Sequence, residues 1–143
     1  TSGTSSLRLF YRMPLDRNFG LKFIGKLRGD GFEDRVLFAP GGGAAIGVFI
    51  PTGWNQSLSL DLVATAHIGP TGKDIDPGLW TGVEGGLEIG WWWVPALAHH
   101  DLGFGFILRG TLGADSLRGR TANVSGGVAF QFCPPFAATF RRC

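Results

Sequence analysis

The acidic side chains are the first residues of this sequence to consider for chemistry, and the spacing of two of them argues against catalysis. Glu84 and Glu88 are four residues apart. On a β-strand they would share one face at a separation of about 13 Å, which is too far for the paired carboxylates of a glycosidase. Their more suitable partners are arginine and lysine side chains on neighbouring strands.

The histidines give no clear catalytic or metal-binding pattern. His67 shares the polar face of a predicted strand with Asp61, and a histidine in such a place is more often a hydrogen-bond partner than a catalytic base. His99 and His100 precede Asp101 in a predicted connection. Adjacent residues at a strand end point apart, and no further ligand is evident, so a polar loop is the better interpretation.

A glycine-rich run, APGGGAAIG at 39–47, resembles a phosphate-binding loop in glycine content alone. It lacks the Lys-Ser/Thr ending and the following helix that such a loop requires. The net charge of +2 also argues against a nucleic-acid partner held by bulk charge. We therefore predict no catalytic residue, no metal site, no cofactor and no nucleic-acid partner.

Composition limits the class of protein. The chain has 143 residues, of which 44% are apolar and 17% charged, and its 24 glycines follow no three-residue period. This length suits one domain, the apolar content is too high for intrinsic disorder, and the glycine spacing excludes collagen. The longest uncharged stretch, 36–60, contains Pro40, Pro51 and three consecutive glycines, so it does not predict a membrane helix.

Apolar and polar residues alternate with a period of two in the segments that could position these side chains, which is typical of β-strands. In 82–93, apolar residues occupy the odd positions, and glycine or glutamate occupies most of the even ones. The short breaks between such segments, among them Gly29–Gly31 and Ala39–Gly43, carry turn residues. We predict an all-β, antiparallel up-and-down fold. Its eight predicted strands lie at 7–13, 19–28, 32–38, 43–51, 58–68, 82–93, 102–112 and 122–132.

Three observations predict that the apolar face of these strands meets lipid. Eleven of the twelve charged residues in the predicted strands lie on the opposite face, with Asp34 the exception. Glycine is frequent on that polar face, as the narrow interior of a small barrel requires. Tryptophan clusters at strand ends, as in the aromatic girdles of membrane barrels, whereas Trp92 points inward by parity. The predicted girdle residues are Trp54, Trp80, Trp91 and Trp93.

The two faces define two sets of predicted residues. The membrane-facing set is Leu87, Ile89, Phe104, Phe106 and Val128. The inward-facing set is a network of ion pairs made by Arg8, Arg12, Lys22, Asp61, Glu84, Glu88 and Arg109. Because eight strands leave an interior just wide enough for side chains, this network would fill the barrel and not leave a wide pore.

The segment SGGVAFQF at 125–132 resembles the terminal-strand signal of bacterial outer-membrane β-barrel proteins. That signal has a polar residue, a glycine two positions later, and two alternate hydrophobic or aromatic residues at its end. The matching residues are Ser125, Gly127, Phe130 and Phe132. The resemblance covers 6–132 in architecture, without a close sequence match. It implies an eight-stranded transmembrane β-barrel over 1–132 in the bacterial outer membrane, with the lipid bilayer and the barrel-assembly machinery as partners.

Members of that family usually end at the last aromatic residue, whereas this chain continues for a short C-terminal tail, 133–143. The tail would lie on the periplasmic side. An oxidising compartment permits a disulfide between Cys133 and Cys143, and two unpaired thiols are the alternative. The closed loop would display aromatic and arginine side chains, a suitable contact surface for other envelope proteins.

The resemblance leaves more than one class of function open. We predict a non-enzymatic barrel that acts as a membrane anchor or as a structural or interaction subunit of the cell envelope. Some barrels of this kind are lipid deacylases, which use a histidine and a serine near the lipid-facing surface; no His-x-Ser spacing occurs here. A lipid-modifying barrel enzyme and a soluble ligand-binding β-barrel are the alternatives.

Overall fold

The structure, a computed structural model, describes residues 4–16, 18–32, 35–53, 56–71, 78–93 and 102–132. Seven strands form one sheet: β1 (Thr4–Pro14), β2 (Phe19–Phe32), β3 (Arg35–Pro51), β4 (Gln56–Pro70), β5 (Leu79–Trp93), β6 (Leu102–Asp115) and β7 (Gly119–Phe132). Each strand pairs antiparallel with its neighbour in sequence, which confirms the predicted all-β, antiparallel arrangement. Within these ranges there is no helix of a length and hydropathy that could cross a membrane.

From Arg35 onward, the predicted strands 32–38 and 43–51 are one continuous strand, β3, so the predicted turn at Ala39–Gly43 lies inside a strand, whereas Phe32 ends β2. A Cβ on Gly43 would overlap the carbonyl oxygen of Ala64 on β4, so glycine allows the two strands to approach closely. The ladder between β3 and β4 ends at Gly41, next to Pro40, which has no N–H to donate. The described residues therefore form seven strands where eight were predicted.

The sequence predicts the turn between β6 and β7 correctly, but it misplaces the turn after β2. The predicted turn at Gly29–Gly31 is part of β2, which pairs with β3 as far as Phe32 opposite Arg35. The turn between β6 and β7 lies where it was predicted. The Asp115 carboxylate accepts hydrogen bonds from the backbone N–H groups of Leu117 and Arg118. Gly119 ends the turn with a φ of 74°, a conformation that favours glycine.

The sheet curls strongly towards one face. Neighbouring strands lie about 4.8 Å apart, so β1 and β4 would be roughly 14 Å apart in a flat sheet. Yet Arg12 of β1 lies 3.0 Å from Asp61 of β4. Arg118, which follows β6, lies 2.7 Å from Asp30 of β2. Side chains of distant strands thus meet on the inner, concave face, although no pairing joins β1 to β7 among the described residues.

The polarity of the two faces is inverted relative to a soluble domain. On the inner face, Lys22, Asp61 and Glu88 are each at most 2% exposed. On the outer face, Leu62 is 60% and Leu87 55% exposed. Buried apolar residues form only two small clusters among the described residues. The interior of this sheet is therefore mainly polar, and its apolar side chains point outward.

A methyl group at Gly43 tests the close approach of β3 and β4. We expect Gly43→Ala to lower the free energy of unfolding by about 1–3 kcal/mol, the usual cost of overpacking. The matched control is Gly127→Ala on the inner face of β7, where nothing lies within 4 Å of the added Cβ. Urea unfolding of both variants measures the difference, and equal effects would contradict the argument.

Candidate functional site: a buried ion-pair network

The inner face of β5 forms the centre of the site. It supplies Glu84 and Glu88 on either side of Gly86, where a Cβ would overlap the backbone of β6. The register places Glu88 opposite Asp61 of β4 and Arg109 of β6. Like charges directly opposite each other are destabilising, so the two neighbouring carboxylates require cations between them.

Lysine and arginine side chains supply those cations. The Lys22 Nζ donates to Asp61 Oδ2 at 3.2 Å and to Glu88 Oε1 at 2.5 Å. Arg109 donates to the other oxygen of Glu88, and Arg12 donates to both oxygens of Asp61, at 3.0 and 3.2 Å. Four of these groups are buried, so salt in the solvent screens their interactions much less than it screens a surface pair; they are Lys22, Asp61, Glu88 and Arg109.

Glu84 forms a second centre of the network. The Lys26 Nζ donates to Glu84 Oε1 at 2.7 Å and to the Thr65 hydroxyl at 2.8 Å. The Thr65 hydroxyl in turn donates to Glu84 Oε1 at 3.1 Å. Arg8 lies 3.8 Å from an oxygen of Glu84 and 3.8 Å from an oxygen of Glu88. The two centres are therefore joined through Arg8.

The network extends beyond the predicted residues. Arg28 lies 3.6 Å from Glu84 and 3.6 Å from Asp30. Arg118 binds Asp30 through both terminal nitrogens, at 2.8 and 2.7 Å. Neither Asp30 nor Arg118 is among the predicted network residues, because both lie in segments of turn composition. Asp30 does share the parity of Lys26 and Arg28, and this signal could have placed it on the same face.

The structure places the predicted inward-facing set together. Each of its seven members lies on the inner face and takes part in at least one ion pair with another member: Arg8, Arg12, Lys22, Asp61, Glu84, Glu88 and Arg109. The pairs connect β1, β2, β4, β5 and β6, so the network holds the curled sheet together across its interior.

The predicted membrane-facing residues lie on the outer face. Leu87, Ile89, Phe106 and Val128 are exposed, and Phe104 is partly covered by Phe130, with ring centroids 5.3 Å apart. The predicted assembly signal lies on β7. Its two polar or small positions, Ser125 and Gly127, pair with inner-face positions of β6, whereas Phe130 is exposed on the outer face, and Phe132 ends the strand.

Three tryptophans at the end of β5 divide between the two faces. Trp91 and Trp93 are exposed on the outer face, at 53% and 46%. Trp92 is buried, as its parity predicts, and its indole N–H donates to the Ser59 hydroxyl at 2.9 Å. A polar indole N–H on a buried ring thus has the partner it requires.

Trp80 is buried on the inner face, unlike the other described residues of the predicted girdle. It is 1% exposed, its indole N–H donates to Asp115 Oδ2 at 3.1 Å, and its ring lies 4.7 Å from that of His67. The prediction that Trp80 belongs to an aromatic girdle is therefore wrong. Trp80 has the same parity as Glu84 on β5, so its side chain points to the inner face, and its place at a strand end did not reveal this.

The bond between Trp80 and Asp115 predicts a measurable loss. We expect Trp80→Phe to lower the free energy of unfolding by about 1.5–3 kcal/mol, because the change leaves a buried carboxylate oxygen without its donor. Trp91→Phe, on the outer face of the same strand, is the control and should cost less. Unfolding followed by circular dichroism compares them, and a larger loss at Trp91 would contradict this assignment.

His67 is buried at 4% exposure, and neither ring nitrogen has a hydrogen-bond partner. The carboxylate of Asp61, which shares the face of His67, accepts hydrogen bonds from Arg12 and Lys22 and not from His67. Within the described ranges, no three His, Cys, Asp or Glu side chains are grouped so as to hold a metal ion.

Several predicted residues lie outside the described ranges: Trp54, His99, His100, Asp101, Cys133, Cys143 and the tail 133–143.

The chain matches no protein-family model, no curated protein and no solved structure. Its function must therefore be inferred from the geometry of the sheet. That geometry consists of a buried layer of paired charges, which holds distant strands together, and an outer layer of apolar side chains.

Proposed function

We propose that the chain is a non-enzymatic β-barrel of the bacterial outer membrane, acting as a membrane anchor or as a structural or interaction subunit of the cell envelope. The observation that carries the proposal is the inverted polarity of the sheet. Among the described residues, 27 large apolar side chains are at least 38% exposed. Monomeric soluble proteins rarely expose continuous apolar patches above a few hundred Å², whereas a bilayer solvates such a surface.

The buried charges support the same proposal. A soluble β-barrel has an apolar core, and here the corresponding space holds Lys22, Asp61, Glu84 and Glu88 in ion pairs. Membrane barrels have a polar interior, and small ones fill it with side chains. This interior is the reason to prefer a membrane barrel over a soluble ligand-binding barrel.

Closure of the barrel is part of the proposal. An open sheet edge does not occur in the hydrocarbon region of a bilayer, since its N–H and C=O groups would lack partners. β1 and β7 run in the same direction, because six antiparallel steps separate them. One further strand, supplied from outside the described ranges and antiparallel to both, would pair both edges and give the even number of eight strands typical of the small bacterial barrels.

The placement of His67 favours a non-enzymatic role over the lipid-modifying alternative. Its ring is buried on the inner face against Trp80, away from the outer surface that would meet lipid. The proposed partners are the bilayer and, through the signal on β7, the barrel-assembly machinery. Contact with other envelope proteins is proposed for the tail 133–143.

Spin labels on the outer face and in a turn test the membrane assignment. In a background with Cys133→Ser and Cys143→Ser, a nitroxide is attached at Leu87→Cys on the outer face. The control is Asp16→Cys, which is also exposed but lies in the turn between β1 and β2. In lipid vesicles we expect the label at 87 to respond to oxygen, which partitions into lipid, and the label at 16 to a water-soluble nickel chelate.

The outcome is decisive in both directions. A label at 87 that responds to the nickel chelate as strongly as the label at 16 would exclude lipid contact at the outer face. Fractionation of the natural protein with outer membranes, together with a heat-dependent shift in gel migration, would support the proposed location. Recovery of folded protein without detergent would support the soluble alternative.

A further inference from the structure

His67 is a buried titratable residue whose ring has no hydrogen-bond partner. It is 4% exposed, and both Nδ1 and Nε2 lack a partner. A neutral imidazole has one N–H donor and one acceptor nitrogen, so His67 leaves a donor and an acceptor unused in the interior. Buried polar groups of native proteins usually have partners, and an exception of this kind requires an explanation.

The His67 ring lies between an indole and a carboxylate. It packs edge-on against Trp80, with ring centroids 4.7 Å apart. It also lies over Gly82, which is opposite His67 in one ladder and opposite Asp115 in the next. A Cβ built on Gly82 would lie 2.7 Å from His67 Nε2 and 3.1 Å from Asp115 Cβ. The side chains of His67 and Asp115 therefore meet above Gly82.

Charged groups from three strands act on the ring. Lys26 and Arg28 of β2 disfavour a positive charge on His67, whereas Glu84 of β5 and Asp115 of β6 favour one. The β3 residue opposite His67 is a glycine and adds no charge there. Glu84 already accepts hydrogen bonds from Lys26 and from two threonine hydroxyls. Asp115 is therefore the better placed of these two carboxylates to accept a hydrogen bond from His67.

The Asp115 carboxylate holds this end of the sheet together. Its Oδ2 accepts the indole N–H of Trp80 at 3.1 Å, and its Oδ1 accepts the backbone N–H groups of Leu117 and Arg118, each at 2.8 Å. Arg118 in turn binds Asp30 of β2 through both terminal nitrogens. A movement of the Asp115 side chain would therefore change a contact that crosses the interior to β2.

We propose that His67 is an acid-sensitive switch for this end of the interior. Histidine takes up a proton as the pH falls through about 6.5, and both ring nitrogens are then donors. The protonated ring binds the Asp115 carboxylate, which moves away from the Trp80 indole and from the turn between β6 and β7. Arg118 is then held less firmly against Asp30. The switch involves the inner face alone, so it does not depend on lipid at the outer face.

Magnetic resonance of the isotope-labelled full chain in maltoside micelles tests the switch between about pH 8 and pH 5, a range in which carboxylates usually stay ionised. The variant His99→Gln/His100→Gln leaves His67 as the only histidine of the sequence. We expect the ring signals of His67 and the indole signal of Trp80 to change together, with one midpoint. The buried indole of Trp92, which donates to a serine hydroxyl on the same face, is the internal control and should not change.

Amide hydrogen exchange measures the effect on the turn. After correction for intrinsic rates, we expect the Arg118 amide to exchange about tenfold faster one pH unit below 6.5 than one unit above it. His67→Gln and, separately, Asp115→Asn should each remove this dependence. The control is Asp74→Asn/Asp76→Asn, which changes two carboxylates outside the described ranges and should leave the dependence intact.

The proposal is wrong if His67 does not titrate in this range, if the Trp80 signal stays constant while His67 titrates, or if His67→Gln responds as the natural chain does. It is also wrong if the response survives Asp115→Asn, because the acceptor would then be another carboxylate. If His67→Gln does not fold, the variant with His67 as its only histidine still decides, because the site itself is unchanged there.

Discussion

Replacing Glu88 with glutamine is expected to lower the free energy of unfolding by about 3–5 kcal/mol, the cost of breaking a buried ion pair from one side. Glu88 is 2% exposed and accepts hydrogen bonds from Lys22 and Arg109, with Arg8 at 3.8 Å. The amide keeps the size of the side chain and removes its charge. Three cations would then face one another around a neutral group.

Urea unfolding in detergent micelles measures this loss, and the control is Asp16→Asn. Asp16 is an exposed carboxylate in the turn between β1 and β2, where removing a surface charge costs about 0–1 kcal/mol. A loss at Glu88 no larger than that at Asp16 would show that the buried pairs do not stabilise the fold. The test does not depend on the membrane proposal.

Leu87→Arg is expected to cost about 2–4 kcal/mol in a bilayer, because it places a charge near the middle of the proposed membrane span. Leu79→Arg is the matched control. Leu79 is also exposed on the outer face of β5, and it lies eight residues nearer the start of that strand, about 26 Å along it. At that depth the same substitution should cost only about 0–1 kcal/mol.

The difference between these two variants separates a membrane barrel from a soluble one. In water, an arginine at either exposed position should change the free energy of unfolding by less than about 0.5 kcal/mol. Urea unfolding of both variants in lipid vesicles measures the difference. Equal, small effects at Leu79 and Leu87 would contradict the proposal that the outer face of β5 contacts lipid.

Much of the strand pattern is predictable from the sequence, because the alternation of side chains assigns a face to every residue of a regular strand. The alternation places Asp61, Glu84 and Glu88 on the inner face, and it places Trp92 there too. At Trp80, the alternation of side chains predicts the correct face, whereas the position at a strand end does not. Its parity with Glu84 pointed inward, whereas its place at a strand end suggested an aromatic girdle, and the structure follows parity.

Two features were not predictable from local pattern. Proline and glycine at Pro40–Gly43 have the composition of a turn, and only the close approach of β4 shows that glycine is needed there within a strand. The partners in the ion pairs depend on the curl of the whole sheet. Arg12 and Asp61 are 49 residues apart in sequence, and no spacing rule within one strand connects them.

The neighbour-to-neighbour order of the strands sets how the chain folds. Each hairpin forms between segments adjacent in sequence, which keeps the contact order of the ladders low and the entropy of loop closure small. We expect the ion pairs of β1 with β4 and β5 to form only after several hairpins have joined and the sheet has curled, because they join strands that are not neighbours. Interactions that form after the rate-limiting barrier act on the unfolding rate alone. We therefore expect the charged interior to set how long the folded state survives, and the hairpins to set the rate of folding.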